Sequence, residues 1–461
     1  MFVDRQRETR DLESLLDHPT PQLIRVYGRR RIGKTELLRN LVRDATGIFL
    51  TADEADRRLQ LESMSDQLAQ QTRSLRRPYR SWDALLDHLE EVAPRVIVFD
   101  EFQRILSTDP QAVTRLQARW DARWRVSGPN VILCGSSIGM MQRLTEGRRG
   151  PLYGRLTGNL HLLPFDYQGV RLLYPTSSEE ERIRRYAVFG GTPFYHTFSQ
   201  GLSLEASVKR AFLDRTAPLA DEPQDLLRFE LQSPTRHNSI LYEIGQGIHR
   251  LSDLESRVGV QKGGLGPYLE ILRDDLDLIE METPVCGVKR PARYVFRDPF
   301  FEFYYRFVFA RRPQLELGRT DAVWRQIAAD LEGHVGRVFE RVVRNAFRLA
   351  QGRQIAGLPV EITEMGRWWN RTGAEIDLVV RGRHEVWAGE VKWGTHPVGP
   401  EVVHELVEKL PLLERTDNLP VRPFVVARNG LSSAGNLELR RVQGFSLDLA
   451  GLDRLFDQAA P

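Results

Sequence analysis

The sequence has few cysteines, no long apolar run and no apolar leader. Cys134 and Cys286 are the two cysteines among 461 residues, far apart in apolar or turn contexts. That pattern excludes a disulfide scaffold and favours a reducing cytoplasm. No stretch of roughly 18 apolar residues occurs, which predicts no transmembrane helix. The first residues are charged from Asp4 onward and lack the apolar core of a signal peptide, so we expect a cytoplasmic protein without a membrane partner.

Lysine is also scarce: the 65 basic residues comprise six lysines and 59 arginines. The formal net charge is +3, which does not by itself indicate a nucleic-acid partner. Two arginine clusters, Arg29–Arg31 and EGRRGPLYGR with Arg148, Arg149 and Arg155, fit a solvated surface better than a binding patch. With 41% hydrophobic and 28% charged residues, the composition is that of a globular protein with about three domains.

The stretch YGRRRIGKTELL contains the full pattern of a phosphate-binding loop, with Gly28, Gly33, Lys34 and Thr35 at the required spacing. An apolar strand precedes it and a leucine-bearing helix follows. Glycines let backbone N–H groups turn toward phosphate oxygens at the positive end of a helix. We expect Lys34 to reach the β- and γ-phosphates and the Thr35 hydroxyl to bind Mg²⁺.

Two further apolar runs end in polar side chains. VIVFDE ends in Asp100 and Glu101, which we expect to hold the Mg²⁺ shell and to orient or activate the attacking water, respectively. NVILCGSS ends in Ser136 and Ser137, and either one senses the γ-phosphate or both form a serine-rich turn. Strands alternating with helices up to about residue 165 predict a doubly wound parallel sheet with nucleotide at the carboxyl ends of its strands.

Six segments occur in a recognisable order: FVDRQRE, YGRRRIGKT, VFDEFQ, GSSIGMM, PLYGRLTG and GGTPFY. Together they resemble the prokaryotic "archaeal ATPase" family, in the signal-transducing branch of the AAA+ ATPases. The resemblance covers nearly the whole chain. It implies an α/β P-loop core, a helical lid, a winged helix-turn-helix and a C-terminal, restriction-endonuclease-like domain of the PD-(D/E)xK type. ATP rather than GTP follows from the resemblance and from the missing guanine-reading N-K-x-D pattern.

The resemblance also implies roles for residues outside the phosphate-binding loop. Phe2, Arg5 and Glu8 match a signature that lies near the adenine. Arg155 matches an arginine that contacts the γ-phosphate, within one chain or from a neighbour; the alternative is a surface arginine before a turn. Pro193 matches a lid proline that packs near the base, and it also suits a helix break.

The middle of the chain reads as helical. Residues 166–215 are expected to form the lid, and helices near 238–247, 251–257 and 263–274 with a two-stranded wing resemble a winged helix. The third of these helices has few basic residues, so DNA readout and protein packing both stay open. DPFFEFYYRFVFARR is interpreted as a core helix rather than a base-stacking surface. We expect four parts: 1–165, ATPase core; 166–235, lid and connection; 236–312, winged helix; 313–461, nuclease-like domain.

The C-terminal third suggests a second chemistry. A predicted hairpin carries Asp377 on its first strand and Glu390 and Lys392 on its second. Because Glu390 and Lys392 are two positions apart, they lie on the same face of the strand. Two carboxylates can hold Mg²⁺ or Mn²⁺ beside a phosphate while a lysine stabilises charge. The resemblance implies that Glu340, on a helix predicted over 333–350, completes the metal shell. A solvent-facing salt bridge, or a nuclease fold that binds without cutting, are the alternatives.

The sequence therefore predicts an ATP-hydrolysing protein that controls a DNA-binding or DNA-cleaving domain. The rival interpretations are a nucleotide-dependent switch or scaffold with a non-cleaving C-terminal domain, and a winged-helix transcription regulator. A protein partner or a homo-oligomer is compatible with each.

Overall fold

The structure is a computed structural model that describes residues 4–43, 46–144, 150–287, 292–417 and 419–458. Phe2, Arg148 and Arg149 lie outside these residues. The chain divides into two compact units: a first unit of Met1–Pro164 with Asp274–Asp277, and a second unit of Phe165–Arg273 with Leu278–Pro461. The division into four domains stays a prediction.

The first unit contains a five-stranded, fully parallel sheet in the order β2-β3-β4-β1-β5. All residues of β1, β3 and β4 are buried, as expected for parallel strands covered on both faces. This confirms the predicted α/β fold with a parallel sheet. The strands are β1 (Leu23–Tyr27), β2 (Gly47–Thr51), β3 (Val96–Asp100), β4 (Asn130–Gly135) and β5 (Gly158–His161).

Helices cover both faces of this sheet. Alternate residues of β3 join different apolar cores, Ile97 and Phe99 in one and Val96 and Val98 in the other, because successive side chains of a strand point to opposite faces. The helices are α1 (Gln6–Leu16), α2 (Lys34–Arg43), α3 (Arg57–Thr72), α4 (Trp82–Val92), α5 (Phe102–Thr108), α6 (Gln111–Arg119), a π-helical turn (Trp120–Trp124), α7 (Arg125–Ser127) and α8 (Ile138–Arg143).

The strand order determines which loops meet. Strand β4 lies between β1 and β3, and the carboxyl ends of parallel strands share one edge of a sheet. The serines after β4 therefore fall between the phosphate-binding loop after β1 and the carboxylates after β3.

The second unit begins with helices, which confirms the helical prediction for 166–215. Ser178 caps α10, since its side chain accepts a hydrogen bond from the Glu181 N–H at 3.3 Å. The helices are α9 (Tyr167–Leu173), α10 (Glu179–Phe189), α11 (Pro193–His196), α12 (Leu204–Val208), a π-helical turn (Lys209–Leu213) and α13 (Glu222–Glu230).

Three helices and a two-stranded antiparallel pair follow, close to the predicted positions. They are α14 (Thr235–Gly245), α15 (Leu251–Val258), α16 (Gly266–Glu270) with a π-helical turn (Ile271–Asp275), β6 (Ile279–Glu282) and β7 (Arg293–Phe296). The winged-helix fold itself stays a prediction.

The aromatic stretch after β7 is core, as predicted. Phe300, Phe303 and Tyr304 have no exposed surface, so their rings are not available to stack on bases. The stretch forms α17 (Pro299–Phe303), a π-helical turn (Tyr304–Val308), a 3₁₀ turn (Phe309–Arg311) and α18 (Arg312–Glu316).

The helix predicted over 333–350 begins earlier, because α19 spans Thr320–Leu349. Val323, Ile327 and Leu331 continue its apolar face toward the N-terminus, and an isolated glycine such as Gly333 does not end a helix. No helix in the described residues is both long and apolar enough to cross a membrane.

A mixed five-stranded sheet completes the second unit, in the order β10-β11-β12-β13-β14. The first three strands are antiparallel and the last three parallel, so the predicted hairpin is confirmed as β11–β12. The elements are β8 (Gln354–Ile355), β9 (Leu358–Pro359), β10 (Glu364–Trp369), β11 (Glu375–Arg381), β12 (Val386–Lys392), α20 (Pro400–Asp417), β13 (Val421–Ala427), α21 (Ser433–Arg441), β14 (Phe445–Leu447) and α22 (Leu449–Gln458).

Candidate functional site

The loop between β1 and α2 contains two glycines with positive φ. Gly28 and Gly33 have φ of 154° and 94°, in the region that favours glycine. A Cβ on Gly28 would lie 2.2 Å from the carbonyl oxygen of Leu162. Arg5 fastens this loop, because its Nη2 donates to the carbonyls of Ile32 at 3.1 Å and Leu163 at 2.8 Å. Arg5 therefore contacts the loop, whereas its proximity to adenine stays a prediction.

Lys34 is buried in this loop. Its Nζ donates to the carbonyl oxygens of Gly28 and Arg29, both at 2.8 Å. Burial lowers the pKa of the Lys34 ammonium, although the carboxylates of Glu101 and Asp100 oppose the shift. The ammonium is therefore bonded to two backbone carbonyls of the loop and attracted by two nearby carboxylates.

Thr35 and Asp100 bring oxygen ligands together. The Thr35 hydroxyl donates to Asp100 Oδ2 at 2.9 Å, and the other oxygen of this buried carboxylate accepts the Glu101 N–H at 3.0 Å. Hydroxyl and carboxylate oxygens are the ligands that Mg²⁺ prefers. The chemistry of this pair fits a magnesium ion, and the binding of that ion stays a prediction.

Glu101 follows β3 in a left-handed conformation with φ of 53°. Its Oε2 accepts hydrogen bonds from the Ser136 hydroxyl at 2.8 Å and from the Gln103 amide. Burial alone would raise the pKa of Glu101, but these hydrogen bonds and the charges of Lys34 and Arg104 outweigh it and hold the pKa below its usual value. Of the two candidate serines, Ser136 is the one that contacts Glu101.

Two other predicted residues, Arg155 and Pro193, have contacts or positions of their own. Arg155 Nε and Nη2 bind the Asp121 carboxylate at 2.8–2.9 Å, and these hydrogen bonds raise the pKa of Arg155. Because the side chain is engaged there, its contact with a γ-phosphate stays a prediction. Pro193 is the first residue of α11 in the second unit, a favourable helix position for proline; its contact with the base is likewise untested.

The second unit brings Asp377, Glu390 and Lys392 together on β11 and β12. Lys392 Nζ lies 3.0 Å from Glu390 Oε2 and 3.8 Å from Asp377 Oδ2. A residue that the sequence did not predict joins them, because Lys409 on α20 donates to Glu390 Oε1 at 2.5 Å. We call these four residues the carboxylate cluster.

The two carboxyl groups of this cluster titrate together. Burial, a hydrogen bond with Glu390 and the negative charges of Glu340 and Glu390 raise the pKa of Asp377 well above its usual value. Burial would also raise the pKa of Glu390, but a hydrogen bond from Asp377 and the charges of both lysines lower it. Two like charges this close share a proton.

Glu340 does not complete a three-carboxylate metal shell. Its Oε2 accepts a hydrogen bond from Arg367 on β10, because a buried carboxylate is stable only with a partner. Burial raises the pKa of Glu340 even so. Within the described ranges, no group of three or more His, Cys, Asp or Glu side chains is arranged to hold a metal ion. The expected Mg²⁺ or Mn²⁺ set of Glu340, Asp377 and Glu390 is therefore not assembled.

Sequence reasoning missed two residues of these sites, Gln103 and Lys409. Gln103 lies two positions after Glu101 in VFDEFQ, and this short separation could have indicated that the two side chains interact. Lys409 reaches Glu390 from another element, so no spacing rule could have found it, although it is one of only six lysines.

The geometry of the first unit defines a class: a P-loop α/β protein with its nucleotide-site residues at the carboxyl edge of a parallel sheet. A family described as an ATPase domain predominantly from Archaea matches residues 2–195. A family described as archaeal and bacterial proteins of unknown function matches residues 304–402. An uncharacterized protein of Methanocaldococcus jannaschii is 31% identical over 405 residues, 85% of this chain and 88% of that protein. The chain therefore belongs to the archaeal ATPase family.

One solved structure supports the fold, and a second is more distantly similar. A Walker-type ATPase of Pyrococcus abyssi has a TM-score of 0.51 at 23% identity, over 66% of this chain and 96% of that one. The ORC2 protein of Aeropyrum pernix, solved as ADPNP and ADP complexes, has a TM-score of 0.47 at 14% identity, over 69% and 96% of the two chains.

Proposed function

We propose that the first unit binds and hydrolyses ATP. The observation that carries the proposal is the meeting of Lys34, Thr35, Asp100 and Glu101 at one edge of the sheet. Lys34 exchanges its bonds to loop carbonyls for β- and γ-phosphate oxygens, and the N-terminus of α2 adds partial positive charge. Thr35 and Asp100 would hold Mg²⁺, which when bound neutralises charge on the phosphates.

Glu101 acts on the attacking water. The water oxygen forms a bond to the γ-phosphorus, the bond from that phosphorus to the β–γ bridging oxygen breaks, and ADP leaves with the electron pair. Glu101 orients the water and takes its proton. Its lowered pKa keeps the carboxylate ionised at neutral pH, so it is ready to accept that proton.

Nucleotide binding and phosphate release in the Lys34→Ala variant test this proposal. We expect ATP affinity to fall by about tenfold or more, because a charged hydrogen-bond donor to the phosphates is lost. Lys209→Ala is the control, since Lys209 pairs with the surface carboxylates of Glu205 and Asp321. ATP turnover in Lys34→Ala equal to that of the control would overturn the proposal.

We further propose that the C-terminal domain is a PD-(D/E)xK-like module that binds DNA. The carboxylate cluster at the β11–β12 hairpin supports it: Lys392 and Lys409 can hold a phosphate backbone. Because Glu340 is paired with Arg367, this arrangement favours binding without cleavage over cleavage, and no cleavage step is derived from it. A nucleotide-dependent scaffold, or a winged-helix transcription regulator, are the remaining candidates.

An assay on single- and double-stranded DNA, with Mg²⁺ or Mn²⁺ and with or without ATP, separates these candidates. Retention of intact DNA that weakens in Lys392→Ala supports the non-cleaving module. Cleavage that Asp377→Ala abolishes, and that the exposed-carboxylate control Glu361→Ala retains, would replace it with a nuclease. Binding restricted to one short duplex sequence would favour a transcription regulator.

A further inference from the structure

The carboxylate of Glu101 is held by only one of its two oxygens. The Gln103 amide nitrogen and the Ser136 hydroxyl both donate to Oε2. Within the described part of the chain, Oε1 accepts no hydrogen bond. A carboxylate anchored through one oxygen has a fixed direction, and its second oxygen is left to receive a proton.

Gln103 also binds Ser136 at two points, so the three side chains form a closed triangle. Its Nε2 donates to the Ser136 hydroxyl at 3.0 Å, and its Oε1 accepts the Ser136 N–H at 3.2 Å. Gln103 is 4% exposed. Each polar atom of this buried amide therefore has a partner in the site, and rotation of the amide would leave buried groups unpaired.

Gly135, the last residue of β4, makes room for this amide. A Cβ built on Gly135 would lie 2.7 Å from Gln103 Oε1 and 2.4 Å from Met141 Sδ. Any larger residue would displace Gln103 from Ser136. The triangle of Glu101, Gln103 and Ser136 therefore requires a glycine just before the two serines.

We propose that Gln103 is a positioning residue for Glu101 in ATP hydrolysis. It anchors Oε2 and so fixes the carboxylate with Oε1 left for the attacking water. If the Ser136 hydroxyl turns to a γ-phosphate, as its place between the two loops allows, Gln103 remains as the donor that holds Glu101. This inference rests on the proposed ATPase activity and assigns a residue that the phosphate-loop pattern does not contain.

The test compares Gln103→Met with Gln60→Met in the full-length chain. Gln60 is a matched control: it is also fully buried in the first unit, and its amide donates to the carbonyl of Asp53 at 3.0 Å and not to Glu101. Both substitutions replace a buried amide by an apolar side chain of similar length. Both therefore lower the unfolding temperature, but only one of them touches Glu101.

In Gln103→Met we expect kcat to fall about tenfold or more, because a hydrogen bond to a charged group is lost, while KM changes by less than about twofold. Gln60→Met should lower kcat by less than about twofold, because its amide bonds to the Asp53 carbonyl and not to Glu101.

Equal losses of kcat in both variants would overturn the inference and leave the ATPase proposal standing. Absence of ATP hydrolysis in the unmodified chain would overturn both. A loss of kcat in Gln103→Met alone, with an unchanged KM, supports the positioning role, because a general loss of stability would lower kcat in both variants.

Discussion

At the scale of single residues, the two glycines of the phosphate-binding loop are needed for different reasons. Both have positive φ, but a Cβ on Gly28 would meet the Leu162 carbonyl at 2.2 Å and the Ile32 Cδ1 at 2.6 Å. A Cβ on Gly33 would have nothing within 4 Å. Steric overlap with backbone cannot be relieved by a rotamer change, whereas strain in φ alone costs about 1 kcal/mol.

We expect Gly28→Ala to lower the free energy of unfolding by about 2 kcal/mol or more, and Gly33→Ala by about 1 kcal/mol. Urea denaturation of each variant without nucleotide measures this difference. Equal losses in the two variants would show that the approach of Leu162 does not constrain Gly28.

Lys409 gives a second prediction at this scale. Its side chain is 26% exposed and Glu390 is 6% exposed, so removing the lysine leaves a mostly buried carboxylate with one cation fewer. Lys409→Met should therefore lower the free energy of unfolding by roughly 1–2 kcal/mol, and adding Glu390→Gln should recover part of that loss. A double-mutant cycle in urea measures the coupling. Strictly additive losses would contradict a direct Lys409–Glu390 interaction.

At the scale of helices and strands, the apolar runs of the sequence indicated where the buried strands lie. β1, β3 and β4 are buried along their whole length and were predicted as strands from largely apolar runs. The helix α19 was predicted too short, although its apolar face continues through Val323, Ile327 and Leu331. Hydrogen bonds such as Gln103 to Ser136, or Arg367 to Glu340, join elements far apart in sequence and have no local signal.

Two buried histidines bind the C-terminal end of α10. His196 Nε2 donates to the carbonyl of Gly190 at 2.9 Å, and His334 Nε2 to that of Ala187 at 2.7 Å. Burial lowers the pKa of each histidine to about 4, although Glu302 opposes the shift at His334. The folded chain thus keeps both rings neutral where an unfolded chain would protonate them.

The free energy of unfolding should therefore fall as the pH drops from the unfolded histidine pKa near 6.5 toward 4. By pH 5 each histidine contributes a loss of roughly 2 kcal/mol. Urea denaturation at pH 7 and pH 5 measures this loss, and His196→Gln should reduce the difference between the two. A difference that is the same in His196→Gln as in the unmodified chain would show that this histidine does not titrate as described.

At the scale of the whole molecule, the proposed nucleotide site and the carboxylate cluster belong to different compact units. A ligand stabilises the part of a chain that binds it, by about 2.7 kcal/mol at a concentration 100 times its dissociation constant. We expect ADP with Mg²⁺ to raise one of two thermal transitions in calorimetry, and Lys34→Ala to remove that shift. A nucleotide-dependent shift that persists in Lys34→Ala would place the nucleotide elsewhere.

The sequence motifs predicted which side chains meet in the first unit better than in the second. A phosphate-binding loop is one contiguous segment, so its residues and their spacing can be read directly. The carboxylate cluster combines β11, β12 and α20, and the pairing of Glu340 with Arg367 depends on which buried charges lie nearest after folding. Spacing alone could not decide between a metal ligand and an ion pair.

The measurement that tests the central claim most directly is ATP turnover in Glu101→Gln, made together with nucleotide affinity in the same preparation. The account predicts affinity within about threefold of the unmodified chain and turnover at least about 100-fold slower, because the group that orients the water and takes its proton is lost. Unchanged turnover in Glu101→Gln would contradict the assignment of this edge of the sheet as an ATP-hydrolysing site.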